Sequence, residues 1–310
     1  MITIRQERVT DYATIGALHA QAFGNRAVEA TIVALLRQHR AFDPELSLVA
    51  EIEGKAVGHV LFSPYQIRLL DQTIPAVNLA PIAVVPKYQG QGIGGQLILE
   101  GHTLAAAKGY LVSFLLGHTS YYPRFGYQTH AFGSAQVVVR SDEIFGNVLD
   151  TRSPTNEDVA MLHTLWFHEE GTVDMAIEPG LDLLDWLSPN PDMLATVYIS
   201  DGAIVGYTRM HIKEPTSPRV FLASDHETAQ SIVTTMAHTF KSAIHETQYI
   251  LPLHPFSAST KAFGHANCIA QNACMACSLG PSPFKDYLAL VQSGHHLAGR
   301  VIWPTCFDLE

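Results

Sequence analysis

Apolar and polar positions along this chain change period several times. Residues 1–9 (MITIRQERV) alternate, as a half-buried strand does. In 10–23 a Thr/Asp pair precedes Ile15, Leu18 and Ala22 at helical spacing, and in 26–40 Val28, Ile32, Leu35 and Leu36 share one helical face. Residues 46–64 predict a hairpin, two β-rich runs around Glu53-Gly54-Lys55. Residues 76–86 predict a strand stopped by Pro86. A glycine-rich loop follows, then a helix from Ile93 to Lys108 with Gly109 ending it. The continuously apolar 110–118 (YLVSFLLGH) suits a central strand covered on both faces. A short helix and turn at 119–128 and a closing strand at 134–140 complete a mixed α/β order: β, α, α, β, β, β, α, β, α, β. Residues 64–75 read as a loop.

Past residue 145 the order starts again. Leu18, His19 and Phe23 fall on Leu162, His163 and Phe167; Gly54, Val57 and Gly58 fall on Gly202, Val205 and Gly206. A strand at 219–225, a helix at 227–245 and a strand at 248–255 follow, and RFGYQ (124–128) has an echo in AFGHA (262–266). The chain of 310 residues is long enough for two domains of about 150 each. The repeat does not extend to the glycine loop. Where the first half has PKYQGQGIGG, the second has LASDHETAQ (222–230), with Asp225 and Glu227 in place of glycines.

The net charge of −10 argues against nucleic acid or an anionic membrane as the main partner. It suits a cationic small substrate, and it also serves solubility alone. No apolar leader opens the chain, and the longest apolar runs fall short of the roughly 20 residues that span a bilayer, so a cytoplasmic protein is expected. Cys268, Cys274 and Cys277 lie close together with His265 nearby, and Cys306 stands apart. A zinc site needs four suitably spaced ligands, and the second pair is missing. These cysteines read as small buried hydrophobes in a strand, and no metal is expected.

The loop within VVPKYQGQGIGGQLILEGH (84–102) carries the candidate chemistry. Glycines before a helix N-terminus let backbone N–H groups wrap a phosphate. Gly90, Gly92 and Gly95 fit the dinucleotide pattern G-x-G-x-x-G; Gln89, Gly92 and Gly94 fit Q-x-x-G-x-G, a pyrophosphate loop for coenzyme A; a plain turn is a third reading. The dinucleotide pattern needs an acidic residue about 20 positions on, which LLGH does not supply, and it has no use for the upstream hairpin.

On LAPIAVVPKYQGQGIGGQLI (79–98) and YYPRFGY (121–127), separated by one helix and one apolar strand, the chain resembles the GNAT superfamily of N-acetyltransferases. The resemblance covers residues 1–140 well, and the second half only in the order of its elements. It implies an acetyl-CoA-binding N-acetyltransferase domain at 1–145 and a degenerate GNAT-like domain at 146–310 that lacks the pyrophosphate loop. Acetyl-CoA would be the co-substrate. Backbone groups of Ile82, Ala83 and Val84 would meet the pantetheine arm and thioester, with a Val84 N–H polarising the carbonyl. Gln89, Gly90, Gln91, Gly92, Ile93, Gly94 and Gly95 would hold the pyrophosphate. Tyr122 falls at the general acid, and an ordinary phenol pKa near 10 roughly matches the thiol it would protonate. Tyr121, Phe125 and Tyr127 would pack, and Arg124 would hold a local carboxylate or carbonyl. Some family members carry a Glu on the strand before the loop; NLAPIAVV has none. The base is therefore open among His118, Glu51 and a water chain. The acceptor would be a primary amine of a small molecule or peptide, chosen by the first two helices, residues 64–75 and the second half. A homo-oligomer is compatible with all this, as is a non-catalytic acyl-CoA-binding or sensor protein.

Overall fold

Strand β1 (Ile2–Gln6) pairs antiparallel with β2 (Ser47–Ile52), and β2 with β3 (Lys55–Leu69). Between β1 and β2 lie helices α1 (Tyr12–Ala22) and α2 (Val28–Leu36). Helix α2 stops short of the predicted 40 because its last turn tightens, with the Gln38 and His39 amides reaching back only three residues. Strand β4 (Gln72–Val84) runs antiparallel to β3. The stretch 64–75, expected to be a loop, is a continuation of both strands: Ile67, Leu69 and Ile74 alternate into the core, and only Leu70 and Asp71 turn. Helix α3 (Ile93–Ala107) leads to β5 (Val112–Leu116), which lies parallel to β4. Period-2 alternation on β2 sorts the helices. Leu48 and Ala50 pack with Ile93 and Leu97 of α3, whereas Val49 packs with Ile15 and Val33 on the opposite face.

The computed structural model describes residues 1–140, 144–240 and 248–309. Strand β6 (Phe132–Arg140), expected to close the first sheet, is a strand but pairs elsewhere. The second half contains β7 (Asp150–Arg152), α4 (Val159–Glu170), β8 (Ala176–Glu178), β9 (Met193–Ser200), β10 (Ala203–His211), β11 (Val220–Ala223) and α5 (His226–Thr239). Then come β12 (Gln248–Leu251), β13 (Asn267–Ala270), β14 (Cys274–Ser278), α6 (Phe284–Gln292) and β15 (Gly299–Arg300). Strand β6 pairs with β12 and β13, and the free edge of β5 is taken by β14. The first half thus lends β6 to the second, and the second lends two strands to the first, β14 on β5 and β8 on β3. Val137 and Val139 of β6 are buried beside Tyr249, Leu251 and Met236. In return, Met275 and Cys277 of β14 enter the core under α3, and Cys274 and Ala276 enter the core on the other face.

Two local features recur in the two halves. Arg5 holds Asp11 at 2.7 and 3.0 Å, and Arg152 holds Asp158 at 2.6 and 2.8 Å; each aspartate also accepts the backbone N–H three residues before it. Each opens the first helix of its half. The β2–β3 turn at Glu53–Gly54 has φ of 50° and 73°, and the β9–β10 turn at Asp201–Gly202 has 49° and 79°. Both satisfy the positive φ that a two-residue hairpin requires. Among the described residues no helix is long and apolar enough to cross a membrane.

Candidate functional site

A gap opens where β4 leaves β5. The two strands pair only from Ala76 to Asn78 against Val112 to Phe114, yet β4 stays on β3 as far as Val84. A bulge interrupts the β3–β4 ladder between Leu79 and Ile82 and bends β4 away. The Val85 amide donates to the Val57 carbonyl at 2.9 Å. Because backbone groups alternate sides along a strand, the amides of Val84 and Ile82 point away from β3, into the gap.

The loop after β4 begins with a 3-10 turn, Pro86–Tyr88, which accounts for the PKYQ that separates strand from glycines. The Gln89 side chain folds back and donates to the Val84 carbonyl at 3.0 Å, tying the loop to the strand. Gly90 and Gly92 have φ of 76° and 80°. Gly92 sits at the N-cap of α3 with no side-chain cap, so the first-turn N–H groups carry the positive end of the helix dipole without an internal anion. Gly94 and Gly95 have ordinary helical conformation and a different role. A Cβ on Gly94 would meet the Tyr121 hydroxyl at 2.5 Å, and one on Gly95 would meet the Phe125 ring at 2.9 Å. Their bareness lets the 121–125 turn lie against the helix.

That turn carries Tyr122 into the same groove, a space of about 810 Å³. Ile82, Ala83, Val84, Gln89, Gly90, Gly92, Ile93, Gly94, Gly95, His118 and Tyr122 all line it; Gln91 does not, and its side chain instead reaches the Lys87 carbonyl at 3.4 Å. The amides of Tyr121 and Tyr122 bond to the His118 carbonyl at 3.0 and 3.3 Å, which fixes the turn. Tyr122 stands edge-on to Tyr121 and Tyr127, with centroids 5.2 and 5.9 Å away. Burial pushes its phenol up to about 12, with neighbouring Tyr121 adding to the shift. The free-phenol value near 10 therefore does not apply; the hydroxyl holds its proton throughout the neutral range.

Arg124 lies over the Tyr121 ring at 4.7 Å and donates to the Tyr121 carbonyl at 3.2 Å, so its partner is a carbonyl. Tyr127 is buried and bonded to Ser113 at 2.6 Å and His102 at 3.0 Å. His118 is exposed at the rim. Glu51 is not in the groove at all: it lies on β2 and accepts from Arg5 at 2.6 Å, a bond that holds its carboxyl below the usual range. Among the described residues, none that lines the groove is an Asp or Glu. Gln96 and Leu99, which the sequence reading passed over, also line the groove; their spacing of four and seven residues along α3 from Gly92 was the available signal.

The second half closes the corresponding helix end on itself. Asp225 caps α5, accepting the Thr228 amide at 2.8 Å, and its carboxylate stands where an incoming anion would be repelled. The turn at Ala258–Ala262 matches the Tyr122 turn, followed by Gly264 as that one is by Gly126, but Thr260 takes the tyrosine's place and is buried, bonded to the His254 carbonyl at 2.6 Å. Cys274 and Cys277 share β14 but belong to cores on opposite faces of the sheet, so they cannot share a metal. Burial pushes both thiols up to about 12. Among the described residues no group of three His, Cys, Asp or Glu is placed to hold a metal ion.

A family model described as "Acetyltransferase (GNAT) domain" matches residues 3–130. The uncharacterized N-acetyltransferase YjhQ of Escherichia coli (strain K12) is 42% identical over 120 residues, 38% of this chain and 65% of its own. The uncharacterized N-acetyltransferase YhbS of the same strain is 37% identical over 129 residues, 41% of this chain and 74% of its own. The chain thus spans just under two thirds of the first relative's length and about three quarters of the second's. A GCN5-related N-acetyltransferase from Kribbella flavida superposes with a TM-score of 0.69 at 17% identity, over 90% of this chain and 72% of its own. That likeness concerns the fold alone, and it extends through both halves.

Proposed function

The chain belongs to the GNAT acetyltransferase family, and from that premise we propose that it transfers the acetyl group of acetyl-CoA to a primary amine by direct attack. The observation that carries this reading is the convergence, in one groove, of the uncapped α3 N-terminus, the outward amides of Ile82 and Val84, and the Tyr122 phenol. The N–H groups after Gly90 take the pyrophosphate. The Val84 N–H stabilises the oxyanion as the amine lone pair adds to the thioester carbon. The C–S bond then breaks, the electron pair leaves on sulfur, and the Tyr122 hydroxyl gives that sulfur its proton. The attacking nitrogen loses its extra proton to water at the groove mouth, beside exposed His118, and the Tyr122 phenolate regains a proton from solvent, closing the balance.

Calorimetric titration with acetyl-CoA tests the first part, with one site per chain expected. Two sites would contradict the closed α5 terminus, and binding of NADH instead would overturn the reading. Thiol release in the presence of amines tests the second. A non-catalytic acyl-CoA sensor is the second reading, favoured by the lack, among the described residues, of a lining carboxylate to act as base. Tight acetyl-CoA binding with no thiol release across a broad amine panel would support it.

A further inference from the structure

A second cavity, of about 430 Å³, opens on the other face of the same sheet. Its near wall holds Ala80 of β4 and Leu116, the last residue of β5; the first groove is lined by Ile82, further along β4, and by His118, just past the end of β5. The two spaces therefore flank one gap between β4 and β5. The far wall comes from the second half.

We propose that this cavity takes the acceptor, that the acceptor is a primary amine also bearing a carboxylate, and that Arg219 binds that carboxylate. The proposal rests on the transferase reading and names its substrate class. Among the described residues the cavity walls carry two guanidiniums and one carboxylate. Asp308, 2% exposed, sits 3.1 Å from both Arg209 and Arg219. Arg209, 4% exposed, is further used by the Trp303 carbonyl at 2.7 Å. Arg219 differs: its side chain is 39% exposed, Nη1 alone is bonded to Asp308, and its remaining donors have no protein partner among the described residues. One anion shared by two cations leaves a positive excess on the cavity wall, with Arg219 tethered to Asp308 through Nη1 alone. The local sign is thus opposite to that of the whole chain.

Two further features define the rest of the acceptor. Asn78 ends the β4–β5 ladder, is fully buried, lines the cavity, and has neither Nδ2 nor Oδ1 paired within the protein. An unpaired buried amide is destabilising, and a polar ligand group reaching it would offset that cost. Both side-chain polar atoms of Asn78 lack solvent-accessible surface in this structure, so the β4–β5 gap must open slightly before its oxygen can accept from the acceptor amine. Trp303 and Phe307, edge-on at 5.9 Å, give the cavity an apolar wall for the acceptor's body. A small apolar amino acid or dipeptide with a free C-terminus has all three groups, and the cavity volume suits its size.

The test uses the full chain with saturating acetyl-CoA. Leucine, phenylalanine and short apolar dipeptides are each compared with their C-terminal amides by thiol release. The expected result is a preference for the free acid of about tenfold or more in kcat/KM, carried mainly by KM, as a charge-assisted contact implies. Arg219→Gln should erase most of that preference, and Arg219→Lys should retain part of it; their thermal unfolding profiles show whether both are folded. Amides used as well as acids, an undiminished preference in folded Arg219→Gln, or turnover of neither class overturns the proposal. Calorimetry with acetyl-CoA on the same samples separates the two levels. Absent acetyl-CoA binding, the transferase reading itself fails; with binding intact, only the carboxylate assignment does.

Discussion

Gly92 and Gly101 of one helical region answer to different forces, and substitution separates them. Gly92 needs positive φ and meets nothing within 4 Å, so alanine there strains the backbone beside the phosphate-binding amides. A Cβ on Gly101 would lie 2.0 Å from the fully buried Phe62 ring. Gly101→Ala should cost about 1–3 kcal/mol by overpacking. Gly16→Ala, in α1 with open space and an ordinary helical backbone, should instead gain about 0.5–1 kcal/mol. Chemical denaturation of the two variants checks the opposite signs. Sequence showed the loop glycines because they cluster before a helix; it could not show Gly101, whose need arises from the Phe62 ring, distant in sequence. Tyr122 was legible for a similar local reason, its place in YYPRFGY, but its phenol at about 12 depends on packing that no motif encodes. Tyr122→Phe should lower turnover by about a hundredfold or more while acetyl-CoA affinity, measured by calorimetry, stays near wild type. Unchanged turnover would remove the phenol from the mechanism.

At the scale of elements, strand and helix identities followed from period, and most ends from glycine and proline. Residues 64–75 were misread because Pro64, Pro75 and the charged pair around the Leu70–Asp71 turn look like loop chemistry, although the alternation through Ile67, Leu69 and Ile74 continues. Helix α5 presents the reverse lesson: LASDHETAQ already displayed the acidic cap that keeps this helix end from anions. Removing the cap tests whether charge alone excludes a ligand. Asp225→Ala should destabilise by about 1 kcal/mol, with a lower Tm, and should add no second acetyl-CoA site, since the glycines that permit close backbone approach are also missing. Appearance of a second site would show that the carboxylate was the sole barrier. The paired Arg5–Asp11 and Arg152–Asp158 clamps went unread because a salt bridge between residues six apart leaves no periodic signature.

Across the whole molecule, the junctions between segments carry both a pH response and the cooperativity. Glu169 at the end of α4 is fully buried and accepts the Ser259 amide at 2.9 Å and its hydroxyl at 2.7 Å. Burial, reinforced by neighbouring Glu170, lifts its carboxyl from 4.5 to about 7. Between those values the native state binds the proton more strongly than the unfolded chain. Stability contributed by this group is therefore present below pH 4.5 and is lost as pH rises through about 7, by on the order of 3 kcal/mol. Glu169→Gln should flatten Tm against pH over that interval; an unaltered slope would place the response elsewhere. The strand exchange has the larger consequence. Which strand follows which was legible; which sheet β6 and β14 join was not, because alternating apolar residues fit either core equally well and only three-dimensional closure decides. As exchanged, residues 1–145 alone would leave the edge of β5 unpaired, remove Met275 and Cys277 from the core under α3, and expose Val137 and Val139 of β6. A fragment of residues 1–145 should thus aggregate or associate through its open edges, whereas co-expression with 146–310 should restore a soluble pair. By the same reasoning the intact chain should melt in one calorimetric transition, since neither core can form without a strand from the other half. Two resolved transitions, or a monomeric and cooperatively folded 1–145 fragment, would mean that each half completes its own sheet.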